Sequence, residues 1–167
     1  FLNKCREKGW LYESTRVMPS CFRCGTSLSQ HELADSYKDL KHLSVYVKAK
    51  IKGKPNESFL VWTTTPWTLS SNVALAINPD LSYVKVRKGK EIFYISKGTA
   101  KLLGGDAIMV ESFLGKKLLG LEYESFYPEF SAQFFPHKLI AWKEVGEEEG
   151  TGIVHIAPGC GQEDHEL

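Results

Sequence analysis

Three stretches of the chain hold side chains whose types and spacing suit chemistry. In the first, Thr63-Thr64-Thr65-Pro66-Trp67-Thr68, strand alternation places Thr63 and Thr65 on one face and Thr64 on the other. Pro66 cannot donate to a ladder, so the strand opens there. The hydroxyls of Thr65 and Thr68 are then free to face a ligand or an attacking water. Trp67 would stand beside them as a rigid wall. The plainer reading is that threonine and tryptophan fill β positions because they pack well on a pleated surface.

The second stretch runs from Gly150-Thr151-Gly152-Ile153-Val154-His155-Ile156-Ala157 through Pro158-Gly159-Cys160-Gly161 to Asp164. It reads as a buried strand, a glycine-rich loop and a helix start. Glycines let backbone amides approach a ligand, and a helix start adds partial positive charge suited to an ester carbonyl or a phosphate. Asp164 brings the opposite sign to the same mouth. Taken singly, a strand histidine is more often a satisfied core residue, and a first-turn aspartate is usually a dipole partner.

The third stretch is Cys21-Phe22-Arg23-Cys24-Gly25, whose two thiolates have the spacing of one half of a tetrahedral metal site. The remaining ligands would have to come from far away in the chain or from outside it. The expectation is therefore no metal site within this chain, only a possible half-site at Cys21 and Cys24. Two buried thiols are the plain alternative.

These groups need elements to position them. Phe1 to Lys8 is helix-compatible and stops at Gly9. Strands are expected at Ser44–Ile51, Ser58–Thr63 and Asn72–Ile77, the last ended by Asn78-Pro79-Asp80. Tyr83–Arg87 and Glu91–Ser96 form a hairpin about Lys88-Gly89-Lys90, and a short helix at Thr99–Leu103 meets Gly104-Gly105. Asp106–Ser112, Lys138–Glu144 and Gly152–Ala157 complete the strands. Leu121–Pro136 reads as a poorly patterned loop and Glu147–Glu149 as an acidic turn. Many short strands and few helices predict an α+β, β-barrel-like domain.

The 167 residues suit one domain, divided here into an N-terminal segment, 1–43, with the cysteine knuckle, and a barrel, 44–167, with the cleft. With 43% hydrophobic and 25% charged residues, the chain is neither disordered nor fibrous. Its formal net charge of +1 supplies no global field for a polyanion, so any nucleic-acid contact must be local or assisted. No apolar run approaches the ~18 residues that would span a bilayer, and the four cysteines are too scattered for a disulfide scaffold. A cytoplasmic location, no membrane contact and a monomeric state are expected. The opening Phe1 and the helix start at the C-terminus suggest a piece of a larger protein.

The stretch Trp62-Thr63-Thr64-Thr65-Pro66-Trp67-Thr68-Leu69-Ser70-Ser71-Asn72, with Gly150-Thr151-Gly152-Ile153-Val154-His155-Ile156-Ala157-Pro158-Gly159, resembles the editing (CP1) domain inserted into isoleucyl-tRNA synthetases. The likeness covers nearly the whole chain, with its motifs in the family's order. Valyl and leucyl relatives typically carry Thr-Arg-Pro where this chain has Thr-Thr-Pro-Trp. The resemblance implies a β-barrel-like fold that hydrolyses the ester of valine mischarged on tRNA(Ile) and spares Ile-tRNA(Ile). It implies a cleft lined by Thr63, Thr64, Thr65, Trp67, Thr68 and Asn72. His155 would lie near the amino-acid side chain and Asp164 on the α-ammonium.

Thr65, Thr68 and Asp164 are thereby the expected catalytic group, working without a cofactor. Zinc would be bound only in the full-length protein. The implied partners are the 3′ end of tRNA(Ile) carrying valine and the remainder of the synthetase. Such a domain answers a physical limit: one missing methylene is worth only about 1–3 kcal/mol in a pocket, isoleucine against valine in this enzyme family being the standard instance.

The chain departs from the family at Ser70-Ser71, usually Pro-Ala, and at Cys160, where members vary. It lacks the His-x-Gly-His and Lys-Met-Ser-Lys-Ser signatures of the synthetic site, so neither productive ATP binding nor aminoacylation is expected. Two other function classes compete. One is a zinc-knuckle nucleic-acid binding module without hydrolytic activity, which the balanced charge disfavours. The other is a thiol hydrolase with Cys160 as nucleophile and His155 as base, for which no third group is evident to orient the imidazole.

Overall fold

In a computed structural model that describes residues 1–34, 37–131 and 135–167, the alternating segments become strands of two sheets. β1 (Val45–Lys50) keeps Tyr46, Lys48 and Lys50 in solvent and turns Val45, Val47 and Ala49 inward. It pairs antiparallel with β2 (Glu57–Thr63), Val45 opposite Thr63 and Lys50 opposite Ser58. β2 is buried on both faces from Ser58 to Val61, which explains its nearly continuous apolar run.

β3 (Ala74–Ile77) follows, then the hairpin of β4 (Ser82–Lys88) and β5 (Glu91–Ser96), then β6 (Ile108–Leu114). β5 lies parallel to β2, giving a five-stranded sheet in the order β1-β2-β5-β4-β6. In the second sheet β3 is central, parallel to β7 (Leu139–Ala141) and antiparallel to β8 (Ile153–Ile156).

The main core lies between the sheets, where Phe59 and Val61 of β2 meet Leu75, Ile77, Tyr83, Leu139 and Ile153. A second cluster, Leu60, Val84, Val86, Phe93 and Ile95, covers the other face of the larger sheet beneath Leu103. Alternation along β3 sends Ala74 and Ala76 outward, against Val145 and Ile156. A fully buried Leu, Ile or Phe contributes roughly 1.5–3 kcal/mol, whereas an exposed ion pair such as Lys48–Glu91 contributes about 0–1 kcal/mol. The paired core faces therefore hold the sheets together. The result is an α+β, barrel-like arrangement.

All eight expected strands are present, with shifted ends. Asp106–Ser112 becomes Ile108–Leu114. Lys138–Glu144 shortens to Leu139–Ala141, because the chain turns with Val145 N–H donating to Trp142 O. The expected Phe1–Lys8 helix is α1 (Leu2–Glu7), and the Thr99–Leu103 helix is a 3-10 turn over Ala100–Leu103. α2 (Gln30–Ala34) was not expected, although Ser29 and Glu32 form a reciprocal capping box before it.

The loop reading of Leu121–Pro136 needs correction, apart from 132–134, which lie outside the described residues. Glu122 and Tyr123 stitch the two sheets: Tyr123 bridges to Ile51 after β1, and Glu122 to Lys138 before β7. Tyr123 is wholly buried. Two bridging residues are too few to show a period in sequence. Further on are α3 (Pro128–Ser131) and, at the C-terminus, α4 (Gln162–Glu166). Among the described residues, every buried apolar side chain lies between Ala49 and Ala157, while Trp10, Leu11 and Tyr12 in the N-terminal segment are exposed. No described helix is long and apolar enough to cross a membrane.

Candidate hydrolytic cleft

The end of β2 and the end of β8 pack against each other and open a cleft of about 250 Å³. It is lined by Trp62, Thr63, Thr64, Thr65, Thr68, Val154, His155, Ala157, Cys160 and Asp164. Residues 86 positions apart or more in sequence, from the threonine stretch and the strand and loop of the glycine-rich stretch, thus share one site.

Pro66 does stop the ladder, and it also starts something the sequence did not announce. It occupies the first turn of a 3-10 helix, Pro66–Ser71, with Thr65 (φ -125°, ψ 65°) before it. The turn brings Thr68 back over Thr65, whose carbonyl accepts the Thr68 hydroxyl at 2.7 Å. Thr65 Oγ1 lies 3.3 Å from both Thr63 Oγ1 and Thr68 Oγ1. His155 Nε2 is 2.8 Å from Thr68 Oγ1.

A hydroxyl has one proton, and that of Thr68 goes to the Thr65 carbonyl, so the network assigns the proton of His155 to Nε2, donating to Thr68. Nδ1 is then a bare acceptor, buried and without a hydrogen-bond partner. Burial lowers the His155 pKa below the ordinary histidine value, with the Asp164 carboxylate pulling the other way. Burial thus favours the neutral ring.

Asp164 sits in the first turn of α4, and its Oδ2 accepts the Ala157 N–H at 2.7 Å. That bond ties the loop back to the end of β8 and leaves Oδ1 as the negative group at the mouth. Gly150 lies under the Trp62 ring at φ +72°, where a Cβ would come within 2.7 Å of Trp62 Cε3. Only glycine lets the ring lie flat there, and so Trp62 becomes the wall of the cleft.

Two expected lining residues are elsewhere. Trp67, on the outer side of the 3-10 turn, is 66% exposed and does not line the cleft. Asn72 is buried behind it, with Nδ2 donating to Ala74 O at 2.9 Å and Oδ1 accepting the Tyr123 hydroxyl at 2.6 Å. Their lining place was what the resemblance implied; the 3-10 turn after Pro66 instead carries Trp67 to the surface and ends at the buried Asn72. Trp62 was the wall the sequence reading missed; its one signal was its place just before the threonines, whereas its contact with Gly150 is tertiary.

The arrangement disfavours a covalent threonine or thiol mechanism. Thr68 donates to a carbonyl rather than to the imidazole, and His155 makes no hydrogen bond to Cys160 among the described residues, although Cys160 lines the cleft. What the cleft does offer is a row of hydroxyls, a neutral ring and one carboxylate. A larger cavity, about 830 Å³, opens on the other side of Trp62, rimmed by Glu144, Glu147, Glu148, Glu149 and Glu163. Those carboxylates repel a phosphate backbone.

At the knuckle, the Cys24 thiol is held below its ordinary range by hydrogen bonds from Thr26 and Cys21, and Cys24 Sγ lies 3.1 Å from Thr26 Oγ1. The donor set suits zinc, but only as half a site. No group of three or more His, Cys, Asp or Glu able to hold a metal exists among the described residues.

The same fold is found in leucyl-tRNA synthetase editing domains. The crystal structure of GlLeuRS-CP1 matches 66% of this chain and 43% of its own at TM-score 0.58 and 18% identity. The P. knowlesi cytosolic leucyl-tRNA synthetase editing domain matches 73% of this chain and 60% of its own at TM-score 0.60 and 14% identity. No protein-family model matches the chain.

In sequence the relatives are isoleucine–tRNA ligases. That of Clostridium acetobutylicum is 43% identical over 99% of this chain, that of Clostridium tetani 42% over 98%, and that of Pyrococcus furiosus 43% over 99%. The chain spans 16–17% of these relatives' length. Over nearly its whole length the chain is thus similar to one segment of isoleucine–tRNA ligases, and it has the fold of the leucyl-tRNA synthetase editing domains.

Proposed function

We propose that the cleft hydrolyses the ester joining valine to the 3′ end of tRNA(Ile), as the editing site of an isoleucyl-tRNA synthetase, and spares the isoleucyl ester. The observation that supports this most is the cleft itself: Thr65, Thr68 and neutral His155 in one hydrogen-bonded row, with the Asp164 carboxylate at the mouth. Water attacks the ester carbonyl, the bond to the ribose oxygen breaks, and valine and a free tRNA hydroxyl leave. The threonine hydroxyls orient the water, and the neighbouring ribose hydroxyl of the substrate assists. Asp164 Oδ1 holds the α-ammonium, and Trp62, Thr64 and His155 bound the side chain.

No cofactor takes part in this reading. The chain works as a monomer in the cytoplasm, and the rest of the synthetase supplies most of the contact to tRNA, since this chain's net charge is only +1. Zinc on Cys21 and Cys24 would complete its tetrahedron with ligands from outside this chain.

Asp164→Asn tests the site, because the amide oxygen still accepts the Ala157 N–H while the charge is gone. A hydrogen bond to a charged group is worth about 1.5–3 kcal/mol, so kcat/KM for Val-tRNA(Ile) falls roughly 10- to 100-fold with the melting temperature nearly unchanged. An unaltered rate in a folded variant would remove Asp164 from the site.

A further inference from the structure

We propose that Tyr123, which does not line the cleft, is a positioning residue for it: through Asn72 its hydroxyl fixes how the Pro66–Ser71 turn sits on β8, and thereby the Thr68–His155 contact. The proposal rests on reading the cleft as the hydrolytic site. Tyr123 is fully buried where residues 122 and 123 stitch the sheets, its ring centroid 5.5 Å from that of His137 and 6.0 Å from that of Phe126. Packing alone would need only a phenylalanine. The hydroxyl has a specific partner instead, Asn72 Oδ1 at 2.6 Å. Burial holds the phenol well above its ordinary range, so it stays a donor.

Asn72 is the hinge of the arrangement. Its backbone N–H closes the 3-10 turn on Leu69 O at 3.2 Å. Its Nδ2 donates to Ala74 O on β3 at 2.9 Å and lies 3.5 Å from Ile156 O on β8, one residue past His155. The adjacent Val73 N–H donates to the same Ile156 O at 2.9 Å. The amide can face only one way, because a flip would set its oxygen against two carbonyls and its NH2 against the phenol. Three partners therefore define one orientation, and that orientation ties the end of the turn carrying Thr68 to the strand carrying His155. Without the phenol, Asn72 Oδ1 is a buried acceptor with no donor. Its penalty is relieved by letting the turn move off β8, which lengthens the 2.8 Å contact between Thr68 and His155.

The test compares Tyr123→Phe with the unsubstituted intact protein in three measurements. The first is deacylation of Val-tRNA(Ile), well below the melting temperature. The second is the nuclear magnetic resonance signal of the His155 ring Nε2–H. The third is a double-substitution cycle with Thr68→Val. The expected result is a fall in kcat of about 10-fold with KM changed less than about twofold. The Nε2–H signal is lost to exchange with water, and Tyr123→Phe has no further effect on kcat in the Thr68→Val background, although it lowers the melting temperature equally in both.

A protected Nε2–H signal with unchanged kcat, or an equal loss of kcat in both backgrounds, would show Tyr123 to be a core residue only. Should Tyr123→Phe not fold, Asn72→Asp is judged by the same readings, since it replaces the donor to Ala74 and Ile156. If the unsubstituted protein does not hydrolyse Val-tRNA(Ile), the proposed function fails. The Nε2–H signal still decides the positioning claim on its own.

Discussion

On the proposed reading, His155 sets both the polarity and the size limit of the cleft. It is 8% exposed and shares the inward face of β8 with Ile153, while Val154 and Ile156 pack outward. Its Nε2 is engaged by Thr68 and burial holds its pKa below the ordinary histidine value, so in the proposed reaction its volume acts on the substrate more than its basicity does. Removing the ring opens space that an isoleucyl side chain can fill. Overpacking by one methylene costs about 1–3 kcal/mol, so His155→Ala gains hydrolysis of Ile-tRNA(Ile) by roughly 10-fold or more and keeps appreciable activity on Val-tRNA(Ile). Parallel loss of both activities in a folded variant would make His155 an orienting or catalytic group instead. At this scale the types and spacing of Thr65, Thr68 and Asp164 pointed to the mouth of a cleft, and the structure gathers them there with Thr63 and His155, although His155 taken singly reads as a core residue. For Trp67 and Asn72 the lining place came from the resemblance, and the 3-10 turn that begins at Pro66 leaves Trp67 exposed and Asn72 buried.

Strands were the most legible elements, since alternation and turn residues are local signals: β1, the β4–β5 hairpin and β8 follow them closely. Elements set by tertiary contact were not legible. The 121–124 stitch has no pattern of its own, and its bonds run to Lys50, Lys52, His137 and Leu139, residues far off in sequence. The turn at Pro66–Ser71 could have been suspected from proline at a first helical position, and α2 from Ser29 and Glu32. The knuckle is an element whose partners cannot be read from this chain at all. Two thiolates leave a tetrahedral ion open, so the purified chain binds zinc at well under one ion per chain, as metal analysis would measure. Full occupancy with four ligands from this chain would contradict the half-site account.

As a whole, the molecule builds the cleft where two sheets pack: the larger one and the turn after it bring the threonines, the smaller one brings His155, and α4 brings Asp164. Its near-zero net charge leaves it no means of gathering tRNA by field alone, and its exposed N-terminal aromatics Trp10 and Tyr12 add nothing to the core. The reading as a second, smaller sieve makes a demand on the whole that no single substitution tests. It must distinguish two esters that differ by one methylene and reject the larger. The direct measurement is ester loss from Val-tRNA(Ile) and Ile-tRNA(Ile) side by side, with the intact protein, the same tRNA and matched concentrations. The account predicts rapid release of valine and release of isoleucine near the spontaneous rate. Equal release of both, or release of neither beyond the spontaneous rate, would contradict it.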